Sequence, residues 1–339
     1  ARAGFAMASL GKGKALLFGG TVVGGQYLND TWVFGLNHTN WTAPTTQAPP
    51  ARQLHAMAVV GAGKVLLFGG EGVSGQCLND TWVFDASNTG WASIDIHSNA
   101  QTPAARLNHA MASLGGGKVV LFGGGNVVQF FGDTWVFDAS NTGWASIDIP
   151  SNANAPAARY RHAMASLGAG KAVLFGGFHT NGQSLSDTWL FHRDSTTTWK
   201  WTRLTTQMAP RSAHKMTSGL HNSIVLFGGR AKYQSGKHAK SSVADDTWIL
   251  YDGCPMGYGG IGCAACPIGQ YKNTTKADNC TSCPDQTTTG ANRSVSINEC
   301  LVCSGSNGTQ SQYRSCLVDL SNNTFEAKWT CHGTYGPQC

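Results

Sequence analysis

Residues 52–96 read RQLHAMAVVGAGKVLLFGGEGVSGQCLNDTWVFDASNTGWASIDI. Four short apolar segments, HAMA, VLLF, TWVF and WASI, are parted by glycine-rich breaks, a pattern of strands and turns. A glycine turn between HAMA and VLLF suits a hairpin at the inner end of a sheet. VLLF is apolar on both faces, as expected of a strand covered from two sides. TWVF alternates and suits a third strand; WASI suits the outer, fourth one.

The pattern recurs five times at about fifty residues per unit. The glycine pairs are Gly19/Gly20, Gly69/Gly70, Gly123/Gly124, Gly176/Gly177 and Gly228/Gly229. The D-T-W triplets begin at Asp30, Asp80, Asp133, Asp187 and Asp246. Each unit opens on an arginine, then two residues, then usually His-Ala-Met: Arg52–Met57, Arg106–Met111 and Arg159–Met164. Arg211–Met216 is a variant, and the first unit has Phe5 at the histidine position. A second tryptophan follows as Trp41, Trp91, Trp144 and Trp199. Residues 80–96 and 133–149 are identical, which points to internal duplication and predicts the same shape twice. One such unit cannot bury its own faces, so several must stack around an axis.

The glycine pair, D-x-W and second tryptophan together resemble the kelch family of β-propellers over residues 1–252. The resemblance implies an all-β fold with one blade per repeat. The fifth repeat runs through Trp248–Tyr251 into a cysteine-rich part without an outer W-strand. Three closures follow: a five-bladed ring, completion by residues upstream of Ala1, which is the expectation favoured, or an open array capped by another chain. Kelch relatives include ubiquitin-ligase adaptors, actin binders, a copper oxidase and secreted or cell-surface proteins. The oxidase needs a cysteine-linked tyrosine and metal ligands. The propeller part has the single cysteine Cys77 and no matching pattern, so no catalytic residue and no cofactor or metal is assigned.

Charged residues make up only 12% of the chain, against 43 glycines and 11 tryptophans, which favours short strands joined by tight turns. The net charge of +6 lies entirely before Gly253, and the basic residues are scattered without a run, which argues against nucleic acid as a partner. No apolar stretch approaches the ~20 residues of a membrane span. The chain starts at Ala1, so either a leader was removed or this is a piece of a longer chain.

Residues 253–339 form the second predicted domain, with ten of the 11 cysteines: Cys254, Cys263, Cys266, Cys280, Cys283, Cys300, Cys303, Cys316, Cys331 and Cys339. Cys254–Cys263 and Cys331–Cys339 resemble the last loop of an epidermal-growth-factor-like module. Cys266-Pro-Ile-Gly-Gln-Tyr271 and Cys280-Thr-Ser-Cys283-Pro resemble the small C-x-x-C-P repeats of receptor ectodomains such as the ephrin receptors. Three C-x-x-C pairs would also suit zinc. Disulfides are the preferred reading, because 87 residues with so few large apolar side chains need staples to fold. The sequence does not fix the connectivity; the expectation adopted is local pairing, with Cys254–Cys263 and Cys331–Cys339 as separate loops.

Nine N-x-S/T sequons occur, and eight are predicted N-glycan sites: Asn29, Asn37, Asn40, Asn79, Asn273, Asn292, Asn307 and Asn322. The ninth, Asn279, has Cys280 as its middle residue. Glycans would keep a charge-poor surface wet.

Four further groups recur. His55, His109, His162 and His214 would face one direction; they form either a metal-binding ring or a hydrogen bond repeated within each blade. Arg52, Arg106, Arg159 and Arg211 are candidate ligand-loop residues for acidic sugars or carboxylates, or else partners of the repeated aspartates. Asp30, Asp80, Asp133, Asp187 and Asp246 read as turn or cap residues rather than acid/base pairs. Cys77 makes the cysteine count odd and is either a buried free thiol or an interchain link.

The leading functional expectation is a non-enzymatic extracellular structural or adhesive protein, a propeller with disulfide-stapled modules, including the case of a filament subunit. Its partners would be other proteins or copies of itself. The alternatives are a carbohydrate-binding receptor ectodomain, an enzyme using the propeller channel and a cytosolic adaptor. The last would need a recruitment domain, and these residues carry none.

Overall fold

The computed structural model describes residues 1–35, 41–43, 47–88, 90–95, 101–149, 155–206, 208–219, 223–235 and 238–251, plus eight short strands beyond. Within 231–242 and after 250 the description is of the backbone alone. The chain divides into two compact units, Ala1–Leu250 and Tyr251–Cys339, two residues before the boundary set at 252. No helix long and apolar enough to cross a membrane occurs among the described residues.

The first unit is a five-bladed β-propeller. Blade 1 comprises Ala6–Gly11, Lys14–Phe18, Thr31–Gly35 and Trp41–Thr42 as an antiparallel four-stranded sheet in chain order. Blade 2 repeats it with Ala56–Gly61, Lys64–Gly72, Cys77–Asp85 and Gly90–Ser93. Blade 3 uses Ala110–Gly115, Lys118–Phe122, Thr134–Asp138 and Gly143–Ile147. Blade 4 uses Ala163–Gly168, Lys171–Phe175, Thr188–Arg193 and Trp199–Leu204. Blade 5 has three strands, Lys215–Ser218, Ser223–Phe227 and Thr247–Tyr251, and among the described residues no outer strand. The second unit contains four antiparallel strand pairs, from Tyr258–Gly259 with Ala264–Ala265 to Cys316–Val318 with Trp329–Cys331.

The second strand is apolar throughout because each face meets a different blade. Val65 and Leu67 pack with Leu10, Leu16 and Phe18 of blade 1, while Leu66 and Phe68 pack with Met111, Val119 and Leu121 of blade 3. The period-two alternation of a strand thus serves two interfaces at once. The outer tryptophan joins the same interfaces. Trp91, Trp144 and Trp201 are buried and donate their indole N–H to Thr31, Thr81 and Thr134 of the preceding blade at 2.9, 3.1 and 3.0 Å.

Blade 4 corrects one sequence assignment: Trp201, not Trp199, fills this slot. The register places Phe191 opposite Trp201, as Phe84 lies opposite Trp91 and Phe137 opposite Trp144. Trp199 instead stacks on Phe191 at 4.9 Å beneath the Arg193 guanidinium.

The glycine pair is imposed by crowding between blades. Gly70 and Gly124 donate their N–H to the carbonyls of Arg106 and Arg159 in the next blade, both at 2.9 Å. Both members of each pair have positive φ, 61° and 98° at Gly176 and Gly177. A Cβ on Gly177 would lie 2.8 Å from the His162 Cβ, and one on Gly176 2.5 Å from the Arg211 carbonyl oxygen.

Among the described residues the stack ends in two faces without a neighbouring blade. Met57, Met111 and Met164 are buried against the preceding blade, whereas Met7 is 47% exposed. Phe18, Phe68, Phe122 and Phe175 are fully buried, whereas Phe227 of blade 5 is 57% exposed.

Gly177→Ala is expected to cost about 2–4 kcal/mol, as left-handed strain and a backbone clash combine. Gly182→Ala, also at positive φ but with open space around it, is expected to cost only about 1–2 kcal/mol. Urea unfolding of both variants tests the contrast; equal losses would refute the crowding argument.

Candidate functional site

Each repeat opens on an arginine that is fully committed to the fold. Arg106 donates from Nη1 and Nη2 to the two carboxylate oxygens of Asp133, both at 2.7 Å. It also donates to the carbonyls of Gly123 at 3.0 Å and Ala104 at 2.9 Å. Arg52 with Asp80 and Arg159 with Asp187 repeat the pattern, Arg211 pairs with both oxygens of Asp246, and Arg2 with both oxygens of Asp30. The same aspartates accept the indole N–H two residues on, from Trp32, Trp82, Trp135, Trp189 and Trp248 at 2.6–2.7 Å. This explains the D-T-W spacing.

Two readings are corrected. Arg52, Arg106, Arg159 and Arg211 do not present ligand-binding groups: their side chains are buried and every one is clamped by a carboxylate. The repeated aspartates are ion-pair partners rather than turn caps. The capping role falls to Asp85, Asp138 and Asp194, whose Oδ1 accepts from the backbone N–H of Ser87, Ser140 and Thr196 in the next hairpin. Burial opposes ionisation of Asp80, Asp133 and Asp187, but the arginine and indole donors outweigh it and hold these carboxyls below the usual range.

Between the arginine and the histidine lies a residue that sequence reading missed. Gly4, Leu54, Asn108, Arg161 and Ala213 all have φ of 55–66°. Four of the five carry a side chain in this left-handed region, a strain that must be held by the surroundings. A chain of backbone bonds around the axis holds it. Leu54 donates to Gly4, Asn108 to Leu54, Arg161 to Asn108 and Ala213 to Arg161, at 2.8–3.0 Å. These residues, with the four histidines, Lys215 and Arg230, enclose an axial cavity of about 440 Å³. Its lining contains three cationic side chains and no carboxylate. The available signal was the variable pair of residues inside an otherwise constant Arg-x-x-His.

The histidines seat the rim rather than join it. His55, His109, His162 and His214 pack edge-on against Phe18, Phe68, Phe122 and Phe175 of the preceding blade, with ring centroids 5.3–5.7 Å apart. His162 Nε2 lies 3.1 Å from the Phe122 carbonyl, so the repeated contact crosses between blades rather than staying within one. Burial, reinforced by the charges of Arg52, Arg159 and Arg211, pushes His55, His162 and His214 down to about 3, and His109 shifts in the same direction. Among the described residues no cluster of three or more His, Cys, Asp or Glu side chains gathers as a metal site would require.

An apolar shoulder adjoins the rim on the same face. Phe130 and Tyr160 stack at 4.5 Å, and Tyr160 stacks on Phe178 at 5.7 Å, with Val127 and Val128 exposed beside them. Contiguous exposed apolar surface of this kind marks interaction sites. Cys77 begins a strand in blade 2 and is a half-buried free thiol; burial, then the Glu71 charge, raises its pKa. Asn29 and Asn79 are exposed, but the threonines of their sequons, Thr31 and Thr81, are buried beneath Trp91 and Trp144. The sequons at Asn37, Asn40, Asn273, Asn292, Asn307 and Asn322, and all ten cysteine side chains from Cys254 on, lie outside the described residues.

Radial sheets, an arginine–aspartate clamp in every blade and a variable axial rim define a repeat propeller built for recognition. The KLHDC2/KLHL20/DRC7 Kelch-repeats domain matches residues 1–170, half of the chain. The chain belongs to the kelch-repeat family. Residues 254–300 match the tyrosine-protein kinase ephrin type A/B receptor-like family. Kelch domain-containing protein 1 of Mus musculus is 31% identical over 133 residues, 38% of this chain and 30% of that protein. An F-box/kelch-repeat protein of Arabidopsis thaliana is 30% identical over 156 residues, 44% of this chain and 31% of its own length. The flagellar outer-arm dynein alpha chain of Chlamydomonas reinhardtii is 28% identical over 143 residues, 39% of this chain and 3% of that one. The chain thus spans less than a third of each of these relatives. The propeller is a protein-interaction module of the kelch type.

Asp133→Ala would leave Arg106 buried and unpaired, with an expected loss of about 3–5 kcal/mol. Asp30→Ala, whose Arg2 partner is only partly buried, should cost clearly less. Chemical denaturation of the two variants decides it.

The depressed histidines also set a pH dependence. Their unfolded forms take up protons below pH ~6.5 while the native forms stay neutral, so stability is full above that value and falls as pH drops toward about 3. Each histidine contributes a slope of up to about 1.4 kcal/mol per pH unit. His55→Phe, which installs the residue that blade 1 carries at Phe5, should remove one histidine's share of that slope. An unchanged slope would show that His55 is not held neutral.

Proposed function

We propose that this chain is a non-enzymatic interaction unit of a secreted or cell-surface assembly, and that its propeller receives a protein partner at the axial mouth. The carrying observation is that the repeats keep the arginine, aspartate and glycine pair constant while the rim changes in every blade: Gly4, Leu54, Asn108, Arg161, Ala213. A fixed frame that presents different side chains at equivalent positions suits recognition better than structure. Arg161, Lys215 and Arg230, without a carboxylate in the lining, favour a partner segment carrying acidic groups. The secretory setting is supported by ten cysteines in the second unit, by the sequons and by the ephrin-receptor-like match.

The two halves of this reading are tested separately. Protein made through a secretory route should lose mass with N-glycosidase and show no free thiol among Cys254–Cys339 before reduction. Ten reactive tail thiols and no glycan would place the chain in a reducing compartment. For the mouth, a glutamate-rich probe peptide should bind the full chain, and Arg161→Glu with Lys215→Glu should weaken it at least tenfold with unchanged thermal stability. Equal affinity in that variant would move the site elsewhere.

The uncovered faces bearing Met7 and Phe227 favour self-association as a second reading. It requires a concentration-dependent mass by sedimentation that Phe227→Asp abolishes.

A further inference from the structure

The connections from the second to the third strand leave every blade at one end, the end that carries the glycine pairs and the axial mouth. In blades 1, 2 and 3 a valine takes the first central position of the tight turn at the tip. Gly25 donates to the Val22 carbonyl at 3.0 Å across Val23, and Gly75 to the Gly72 carbonyl at 2.9 Å across Val73. Asn126 donates to the Gln129 carbonyl at 2.9 Å across Val127 and Val128. Blade 4 has Thr180 at this point, beneath the 2.9 Å bond from Gly182 to His179. Val23, Val127 and Val128 are 85–93% exposed, and Val73 65%.

Folding does not ask for valine there. Turn centres favour glycine, asparagine, aspartate, serine and proline, while β-branched residues favour strands. A single exposed valine needs no explanation, but four on one face, at equivalent tips of consecutive blades, form an apolar pattern that marks an interaction surface. The charges of the same loops are sorted as well. Residues 21–29, 71–79, 125–132 and 178–186 carry one carboxylate or cation between them, Glu71, and its Oε2 accepts from Gln53 Nε2 at 2.7 Å. The corresponding connection of blade 5 is a long hairpin, Arg230–Ser235 paired with His238–Val243. It carries Arg230, Lys232, Lys237 and Lys240 and no carboxylate.

We infer that this face docks on an anionic lipid bilayer, with the valine tips entering the boundary between headgroups and acyl chains and the basic hairpin of blade 5 lying among the lipid phosphates. Two features select a bilayer over a protein. The apolar groups sit on separate convex turns, which would need a matching pocket each in a protein partner but enter a fluid bilayer without one. The cations are gathered on one hairpin beside them, the combination of apolar insertion and basic attraction by which proteins lie on membranes without spanning them. The Phe130–Tyr160–Phe178 stack beside Val127 and Val128 adds aromatic rings of the kind that settle at headgroup level. The inference does not rest on the acidic partner proposed for the axial mouth. The mouth opens on the same face, so a docked bilayer and a mouth-bound peptide exclude one another.

The full chain is sedimented with vesicles of equal parts phosphatidylcholine and phosphatidylserine, with and without enzymatic removal of N-glycans, because Asn29 and Asn79 belong to two of these loops. Binding is expected, and it should weaken at least tenfold on pure phosphatidylcholine and fall with added salt. Val23→Ser, Val73→Ser, Val127→Ser and Val128→Ser combined should weaken it at least tenfold, with melting temperature and affinity for the glutamate-rich probe unchanged. Thr180→Val, which extends the valine series to blade 4, should strengthen it several-fold. Lys232→Ser, Lys237→Ser and Lys240→Ser combined should remove most of the salt dependence and of the preference for phosphatidylserine. No binding in either glycan state, or full binding by the serine variant, would overturn the inference. A serine variant that loses the glutamate-rich probe while vesicle binding is absent throughout would instead assign the tips to a protein partner.

Discussion

A guanidinium cannot shed its proton in a protein, so burying one commits the fold to surround it. Four blades of this propeller bury an arginine completely, and each does so with the same set of acceptors: a bidentate aspartate, the carbonyl of the first glycine of the pair, and the carbonyl two residues before the arginine. The set ties the start of the first strand, the end of the second and the start of the third into one knot. The tryptophan of D-T-W is drawn in by its N–H to the same carboxylate. The glycine pair follows as a consequence, since the preceding blade must approach the arginine's own carbonyl closely enough for a backbone hydrogen bond. A repeat that looks like several conserved letters is therefore one electrostatic unit with several contacts.

That unit also frees the rim. Because the arginine and histidine on either side are held by the blade and its neighbour, the residue between them can differ without loss of geometry. The left-handed backbone at Leu54, Asn108, Arg161 and Ala213 is secured by the chain of amide–carbonyl bonds around the axis. Side chain identity there is released from folding duty, and this is the condition under which recognition can evolve.

The blades were legible because their causes are local. Alternation, the glycine turn and the D-T-W spacing all appear within fifty residues, and among the described residues the fifth repeat stops at three strands, where Trp248–Tyr251 passes into Gly253-Cys254 without a second tryptophan. The pairing of Arg106 with Asp133 was one of two readings open to the sequence; only burial decides between a charge offered to a ligand and a charge already spent. The choice of Trp201 over Trp199 depends on register across two strands, which no local pattern fixes. The four histidines do line one cavity as a group, as their expected common direction implied, but their contact with the preceding blade's phenylalanine is an inter-blade property that a single repeat does not contain. The rim went unseen because its signature is variation rather than repetition.

The ends of a stacked array are its weakest units, because each inner blade gains from two neighbours and each end blade from one. Here the asymmetry between the ends is chemical. Blade 1 has all four strands and lacks only a covering neighbour for Met7 and for Trp41, which is 41% exposed. Among the described residues blade 5 has no neighbour over Phe227 and three strands rather than four, with a cavity beside Thr188. An uncovered face can be satisfied by any apolar surface of suitable shape.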